Sequence, residues 1–282
     1  YSDMSLKNVH FYGNITYVKR YEKVNSGHNM NYVIYKRLKH MRKIDIHCHI
    51  IPGLDDGAAD LNESLEMLKI AWAQGFDTFI ATPHYSLHYQ NLCPELIREQ
   101  CSLLEEKARS AVCPEIRIYP GQEICYEDDT MKKLEQGRLL TLADSSYVLT
   151  EFPYHILFAE LYRSLQRLRL EGYIPILAHA ERYRSIRENE ESLEELTEAG
   201  ALIQLNYESL ERSWADRSQR WCRKQLKDGR VHFLGTDMHN TSSRLPQTER
   251  ACAWMNRHLD KEKQEALCYG NAEKLLKNES IL

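Results

Sequence analysis

The chain has 282 residues, of which 43% are hydrophobic and 28% are charged, and its formal net charge is −4. These values are typical of a globular protein with a sizeable core, and they do not favour a nucleic-acid partner, which would require a basic face. No run of about 18 apolar residues occurs, so the sequence predicts no insertion into a membrane.

The cysteines and the first residues of the sequence bear on the compartment. The eight cysteines are scattered without a CxxC pair, and the first residues show no apolar core followed by a small-residue cleavage site. We therefore expect reduced thiols in a cytoplasmic protein.

Residues 1–40 differ from the rest of the chain. They contain six tyrosines, their basic residues outnumber their acidic ones, and no helical or alternating period persists. Two interpretations are open: an N-terminal extension that is non-native or disordered, or a basic arm that binds a partner or an anionic surface. The functional domain is expected over residues 41–282.

From residue 43 onward, strand patterns alternate with helical patterns. Seven short apolar runs are predicted as strands: Lys43–His47, Asp77–Thr82, Glu115–Tyr119, Tyr147–Phe152, Tyr173–Ala178, Ala201–Asn206 and Val231–Thr236. Helices are predicted after them, over Asp60–Gly75, Pro94–Val112, Asp128–Gln136, Glu160–Glu171, Glu190–Ala199, Trp214–Lys227 and most of Gln247–Lys277. Asp60 followed by Glu63 is the signature of a helix N-terminus. Seven such units favour a closed parallel barrel, and an open doubly wound sheet is the alternative.

Polar residues follow the predicted strands at the point where each strand ends. They are His47, His49, Asp55, Asp56, His84, Glu123, Glu151, His179, Asp237 and His239. In a parallel barrel the carboxyl ends of all strands open on one face, so these side chains should converge there. Carboxylates packed so closely require cations, and imidazole with carboxylate suits Mn²⁺, Fe²⁺ or Zn²⁺. More ligands are present than one ion needs, which predicts two or three ions.

Two arginines follow the same strand ends. Arg182 comes three residues after His179, and Arg244 five residues after His239. A guanidinium group without a partner beside a cationic site is best explained by anion binding, since it holds phosphate in a bidentate fork. The sequence therefore predicts a phosphate-binding role for both.

Seven short motifs resemble the polymerase and histidinol phosphatase (PHP) family, and most of all its bacterial tyrosine phosphatases from capsule and exopolysaccharide loci. The motifs are DIHCH (Asp45–His49), GLDDGA (Gly53–Ala58), ATPH (Ala81–His84), PGQE (Pro120–Glu123), EFP (Glu151–Pro153), AHAER (Ala178–Arg182) and GTDMH (Gly235–His239). The resemblance spans residue 41 to about residue 272, and every metal motif is in order.

The resemblance implies an α/β fold, a distorted TIM-like (β/α)7 barrel, with three metal ions that are usually manganese. It implies one ion on His47, His49, Glu123 and Asp237, a second on Glu123, Glu151 and His179, and a third on Asp56, His84 and His239. Asp55 competes with Asp56 for the last assignment. Arg182 and Arg244 match the branch's phosphate-binding arginines and are the expected catalytic groups. The implied substrate is a phosphotyrosine protein, in particular the C-terminal tail of a bacterial tyrosine kinase that regulates surface polysaccharide synthesis.

Other functions compete with this interpretation. A PHP phosphatase acting on a small molecule such as histidinol phosphate, or a nuclease, would share the ligands, and a binding protein on a decayed site would have lost them. A cysteine phosphatase needs an arginine six positions after its nucleophile, and none of the eight cysteines has one. An amidohydrolase often needs a strand-end lysine, whereas the fourth strand ends in Glu151. The sequence leaves the oligomeric state open.

Overall fold

The computed structural model describes residues 42–86, 88–89, 92–189, 191–211 and 216–281, together with the backbone of three strands near the amino terminus. These strands are β1 (Val9–Tyr12), β2 (Ile15–Lys23) and β3 (Asn29–Ile34), and they pair in an antiparallel sheet of order β1-β2-β3. The other residues of the predicted 1–40 extension lie outside the described residues, so its proposed status stays a prediction.

Nine further strands build the main body. They are β4 (Lys43–Cys48), β5 (Phe76–Ala81), β6 (His84–Tyr85), β7 (Arg117–Pro120), β8 (Glu123–Cys125), β9 (Tyr147–Glu151), β10 (Ile174–Leu177), β11 (Leu202–Asn206) and β12 (Phe233–Gly235). All seven predicted strands are present, although several are shorter than predicted. The second and third strands each continue after a break of two residues, because Pro83 and Gly121 interrupt the regular pairing and turn β5 into β6 and β7 into β8.

Ten α-helices accompany these strands in the described chain. They are α1 (Leu61–Ala73), α2 (Pro94–Ala111), α3 (Thr130–Glu135), α4 (Phe158–Leu170), α5 (Arg184–Arg187), α6 (Ser192–Glu198), α7 (Arg217–Lys227), α8 (Glu249–His258), α9 (Lys261–Glu265) and α10 (Asn271–Leu276). The predicted first residues Glu190 and Trp214 lie outside the described residues. The long helical pattern from Gln247 to Lys277 is divided into three helices, with a π-helical turn over Ala266–Gly270.

The start of α1 illustrates how local sequence positions the barrel. The Asp60 carboxylate accepts a hydrogen bond from the Glu63 backbone N–H at 3.0 Å, and the Glu63 carboxylate accepts one from the Ala59 N–H at 3.0 Å. Both bonds occupy backbone donors that the first helical turn would leave without partners. The predicted N-terminus is therefore confirmed, and it fixes the loop that carries Asp55 and Asp56.

The parallel strands close into a ring. The strands pair in the order β4-β5-β7 and β12-β11-β10-β9-β8-β6, and the two sheets are continuous through the bent strands β5–β6 and β7–β8. The ring closes where β4 meets the segment after β12, through a parallel bridge between Cys48 and Met238. The N–H of His49 donates to the Met238 carbonyl at 2.9 Å, and the N–H of Asp237 donates to the His47 carbonyl at 2.9 Å. This confirms the distorted (β/α)7 barrel over the open sheet.

Apolar side chains fill the body in two buried clusters. The smaller cluster gathers residues near the amino ends of the strands, such as Ile44, Leu202 and Phe233, and packs them against Ala272 and Leu275 of α10. The carboxyl ends are thus left for polar side chains. None of the helices in the described parts of the chain combines the length and apolarity that a membrane crossing needs.

Candidate metal centre

The nine side chains predicted as ligands converge at the carboxyl ends of the barrel strands. The donor atoms of eight of them fall into three overlapping groups, each with all atoms within 4.8 Å of one another, and the ninth side chain, His179, lies beside Glu123. The groups are His47, His49, Glu123 and Asp237; His84, Glu123 and Glu151; and His49, Asp56, His84 and His239. The structure therefore brings together residues that lie up to 192 positions apart, from His47 to His239.

The first group surrounds one oxygen of Glu123. Its Oε2 lies 3.1 Å from His47 Nε2 and 3.3 Å from His49 Nε2. Asp237 Oδ1 lies 3.5 Å from the same two nitrogens, and those nitrogens are 3.3 Å apart. The two histidines reach the same side because they are two residues apart, His47 on β4 and His49 directly after it.

The second group shares Glu123 with the first, and His179 lies beside it. His179 Nε2 is 2.7 Å from Glu123 Oε1 and 3.6 Å from Glu151 Oε2. His84 Nδ1 is 3.1 Å from Glu123 Oε2 and 3.3 Å from Glu151 Oε1. Glu123 thus uses both oxygens and adjoins two groups, as a bridging carboxylate would.

The third group lies nearest the opening. Asp56 Oδ1 is 3.4 Å from His84 Nε2 and 3.5 Å from His239 Nε2. His84 therefore faces the second group with one ring nitrogen and the third with the other. The partition implied by the resemblance assigned His84 to the third group alone.

Asp55 and Asp56 are adjacent but have different surroundings. The side chain of Asp55 is buried, and its carboxylate accepts hydrogen bonds from His49 Nδ1 at 2.7 Å, from the His84 backbone N–H at 2.9 Å and from the Gly57 N–H at 3.0 Å. Asp56 is 51% exposed and points at the third group. Asp55 therefore orients His49 with its Nε2 toward the cluster, which is the usual arrangement behind a metal-binding histidine.

The electrostatics of the centre are dominated by burial and opposite charges. Burial opposes the charged form of Asp237, but His47, His49 and Arg182 outweigh it and hold the pKa of that carboxyl well below its usual range. Burial likewise opposes protonation of His179, but hydrogen bonds to Glu123 and Glu151 raise its pKa to about 9. Burial and the neighbouring His49 lower the pKa of His239 to about 2. The carboxylates stay ionised and create a strong demand for positive charge.

Several buried donor atoms of the centre lack a hydrogen-bond partner among the described residues. They include Glu123 Oε2, His84 Nδ1 and His239 Nε2. Buried polar atoms without partners are costly, so such atoms converging on shared points call for a ligand. Imidazole nitrogens mixed with carboxylate oxygens fit Mn²⁺, Fe²⁺ or Zn²⁺ and do not fit Ca²⁺.

Two ligand candidates adopt an unusual backbone conformation. His179 has a φ of 35° and Asp237 a φ of 51°, both in the left-handed region that non-glycine residues rarely occupy. Gly235 lies two residues before Asp237, and a Cβ atom there would come within 2.9 Å of the His47 Cβ. Close approach and backbone strain of this kind are concentrated at functional sites.

The two arginines reach the rim of the centre, and they are not free. Arg182 donates to Asp237 Oδ2 at 2.6 Å and Arg244 donates to Asp237 Oδ1 at 2.9 Å. Arg182 also lies 3.4 Å from the hydroxyl of Tyr154. The expectation of arginines without a carboxylate partner is therefore wrong, because Asp237 presents both of its oxygens to them. Their phosphate-binding role stays a prediction.

Gln204 and Asn206 are parts of the centre that the sequence reasoning missed. Gln204 Oε1 is 3.2 Å from His47 Nδ1, and Asn206 Nδ2 donates to Asp237 Oδ2 at 2.8 Å. A signal was available, since two amides alternate at the carboxyl end of an otherwise apolar strand. Amides on one face of a buried strand indicate a polar partner.

Cys48 lies between His47 and His49 but plays no part in the centre. Its thiol is fully buried and donates to the Ile80 carbonyl at 3.4 Å, as expected of a side chain that faces the barrel wall. Burial raises the pKa of this thiol well above its usual value. A buried thiol that faces a backbone carbonyl is not placed to act as a nucleophile.

Comparisons with known proteins agree with this geometry. A family model described as "Capsular polysaccharide synthesis, CpsB/CapC" matches residues 43–277. Tyrosine-protein phosphatase YwqE of Bacillus subtilis (strain 168) is 36% identical over 238 residues, which are 84% of this chain and 93% of the relative. Tyrosine-protein phosphatase CpsB of Streptococcus pneumoniae is 30% identical over 243 residues, which are 84% of this chain and all of the relative.

A solved structure gives the same result in three dimensions. It comes from a study of YwqE from Bacillus subtilis and CpsB from Streptococcus pneumoniae, described there as unique metal-dependent tyrosine phosphatases. It matches this chain with a TM-score of 0.77 at 34% identity, and the match covers 85% of this chain and 96% of the other. With its barrel, its convergent ligand groups and these matches, the chain belongs to the CpsB/CapC family of capsular polysaccharide synthesis.

Proposed function

We propose that this chain removes phosphate from tyrosine residues of proteins and needs metal ions to do so. The observation that carries the proposal is one site where three overlapping groups of imidazole and carboxylate donors meet two arginines. Membership of a family whose relatives are named tyrosine-protein phosphatases supports the same activity.

Mn²⁺ is the ion we propose, in two or three copies, with Fe or Zn as alternatives. One ion would be held by His47, His49, Glu123 and Asp237, a second by Glu123, Glu151 and His179, and a third by Asp56, His84 and His239. When bound, such ions lower the pKa of water and neutralise charge on a phosphoryl group.

The arginines contribute positive charge beside the donor groups. Arg182 and Arg244 approach Asp237 from two sides, so each guanidinium lies next to the donor groups and close to the opening. The side chains of Arg182 and Arg244 are 29% and 33% exposed, so we expect each to exchange its contact with Asp237 for one with a phosphate oxygen. Charge-assisted hydrogen bonds of this kind stabilise the equatorial oxygens during in-line displacement.

The leaving group explains why no strong general acid is needed. A phenolate leaves more readily than an alkoxide, so little proton transfer is required in the transition state. Tyr154 is 54% exposed, and its ring centroid is 6.2 Å from that of His179 in an edge-on arrangement. Its ring provides an apolar wall for the phenyl group of the substrate.

The exposure of side chains around the centre supports a protein substrate. Asp56 and Tyr154 are both more than half exposed, so the donor groups are reachable by a side chain on a polypeptide. The substrate we propose is the phosphotyrosine-bearing C-terminal tail of a bacterial tyrosine kinase, and the process is control of capsular or exopolysaccharide synthesis in the cytoplasm. The family description supports the process.

The experiment measures turnover on three substrates after chelation and after return of Mn²⁺. A phosphotyrosine peptide, histidinol phosphate and a DNA oligonucleotide are compared with the EDTA-stripped and the reloaded full chain. We expect turnover of the phosphopeptide that disappears on stripping and returns with Mn²⁺. Activity that survives complete stripping, or a preference for either of the other substrates, would contradict the proposal.

A further inference from the structure

A buried chain of amide groups links ligands of different metal groups. The side chain of Gln204 is fully buried on β11, and its Oε1 lies 3.2 Å from His47 Nδ1 and 2.7 Å from the backbone nitrogen of His179. Its Nε2 lies 2.8 Å from Asn206 Oδ1, and Asn206 Nδ2 lies 2.8 Å from Asp237 Oδ2. Gln204 and Asn206 together are named the amide relay.

The direction of every bond in the amide relay follows from its two ends. The backbone N–H of His179 can only donate, so the Gln204 atom that faces it must be the carbonyl oxygen. The Gln204 NH₂ group then donates to Asn206, and the Asn206 NH₂ group donates to the Asp237 carboxylate, which can only accept. No other assignment of the two amides satisfies both ends.

This direction fixes the tautomer of His47. Because Gln204 offers His47 an oxygen that only accepts, the proton of the ring must sit on Nδ1. The lone pair is then on Nε2, which is the atom that faces Glu123 and Asp237. A hydrogen bond from the remote nitrogen of a metal-binding histidine orients the ring and sets its tautomer.

The same oxygen also supports the second group. His179 has a left-handed backbone with φ of 35°, and its N–H finds its acceptor in Gln204. The strained conformation that directs His179 toward Glu123 and Glu151 therefore depends on the same amide as His47. Gln204 therefore contacts both His47 and His179, but it does not contact the atoms of these residues that would bind the ions.

We propose that Gln204 and Asn206 are positioning residues that preset His47, His179 and Asp237 to receive metal ions. The inference rests on the metal requirement of the proposed function, but it concerns assembly of the site and not turnover. Gln204 sets the tautomer of His47 and the backbone of His179, and Asn206 sets the orientation of the Asp237 carboxylate.

The test measures Mn²⁺ affinity of the EDTA-stripped full chain by titration calorimetry, without any phosphorylated substrate. Gln204→Leu removes the whole relay, and Gln204→Glu keeps the acceptor. Asn206→Ala removes the bonds to Gln204 and Asp237 but leaves Gln204 in contact with His47 and His179. Gln264→Leu is the matched control, since Gln264 is also buried and donates to the Leu259 carbonyl at 2.9 Å, on α9. We expect losses of about 10- to 100-fold for Gln204→Leu and Asn206→Ala, a smaller loss for Gln204→Glu and no change for the control.

A second measurement reports the tautomer directly. In the Zn²⁺-loaded protein, which is diamagnetic, NMR should detect a slowly exchanging proton on His47 Nδ1, and this proton should exchange faster in Asn206→Ala than in the control. If Gln204→Leu does not fold, the Mn²⁺ affinity of Asn206→Ala and the His47 Nδ1 proton signal test the proposal without it. Wild-type affinity in folded Gln204→Leu or Asn206→Ala, or Zn²⁺ bound through His47 Nδ1, would overturn the proposal. Absence of Mn²⁺ binding by the wild-type chain would instead contradict the proposed function.

Discussion

Arg182 and Asp237 form an ion pair of 2.6 Å, so a candidate phosphate-binding group directly contacts a candidate metal ligand. Arg244 occupies the other oxygen of the same carboxylate at 2.9 Å. Asp237 therefore lies between the positive charge of the arginines and that of any bound cation. A substitution at either arginine should therefore affect metal binding, and a change in the bound metal should affect the arginines.

Replacement of Arg182 by lysine should reduce turnover more than binding of metal. Lysine keeps the charge but lacks the two-pronged donor geometry of guanidinium, so a charge-assisted contact worth about 1.5–3 kcal/mol is weakened. We expect kcat/KM on a phosphotyrosine peptide to fall by about 10- to 100-fold. Arg184→Lys is the control, because Arg184 is exposed and pairs with Glu188. An unchanged kcat/KM in Arg182→Lys would show that the guanidinium group of Arg182 does not contribute to the reaction.

Glu123→Gln should lower the metal content more than a change at the edge of the centre. Glu123 adjoins the first and second groups, whereas His239 belongs only to the third. Elemental analysis of the purified protein should therefore show a loss of at least two ions for Glu123→Gln and of one for His239→Ala. His258→Ala, on the surface of α8, should retain the full content. Equal losses from both variants would contradict the bridging role of Glu123.

Substitutions of Asp55 and of Asp56 should have different effects on stability and on metal content. Asp55→Ala leaves His49 Nδ1 and two backbone N–H groups without their acceptor, so the EDTA-treated protein should lose about 3 kcal/mol of unfolding free energy. Asp56→Ala changes an exposed side chain and should alter that stability by less than about 0.5 kcal/mol while it removes one ion. Urea denaturation and elemental analysis check both outcomes, and the reverse pattern would make Asp55 the ligand.

Tyr154 should influence the choice of substrate. If its ring contacts the phenyl group, Tyr154→Ala should lower kcat/KM on phosphotyrosine peptide by about threefold to tenfold, the worth of one aromatic contact. Turnover of glycerol phosphate should change by less than about twofold, because that substrate has no ring. Tyr154→Phe keeps the ring and should retain the preference. Equal losses on both substrates would show that Tyr154 acts through Arg182 and not through the ring.

His232 should make the fold sensitive to acid independently of the metal centre. Burial lowers its pKa to about 4, and its neutral Nδ1 accepts a hydrogen bond from the Ile203 N–H at 3.1 Å. The unfolded chain binds this proton near pH 6.5, so the stabilisation is complete above pH 6.5 and is lost as pH falls toward 4. A shift of this size corresponds to on the order of 3 kcal/mol.

The comparison is with His232→Asn in urea denaturation between pH 4 and 8, with EDTA present so that metal binding contributes nothing. Asparagine can still accept from Ile203 but does not titrate. The stability of the wild-type protein relative to this variant should fall as pH decreases from 6.5 to 4. A difference that is constant over this range would show that His232 is not the group responsible.

Local patterns in the sequence predicted the fold well because they are set by nearby residues. The capping residues Asp60 and Glu63 placed the start of α1, and apolar runs located seven of the nine barrel strands, all but β6 and β8. The breaks at Pro83 and Gly121 were not predicted, since whether a strand resumes after an interruption depends on its neighbours in the sheet. His84 and Glu123 lie just after these breaks and face each other across β6 and β8.

The sequence by itself determined which residue types stand at the strand ends, because strand periodicity and chain order fix that locally. From this the convergence of His47, Glu123, His179 and Asp237 followed as soon as the strands were parallel and closed. Only the tertiary structure decided that His84 faces two groups, that both arginines contact Asp237, and that Gln204 joins His47 to His179. These relationships are contacts between side chains on separate strands. They depend on strand register, on bends in the strands and on side-chain rotamers, and the local sequence pattern specifies none of these.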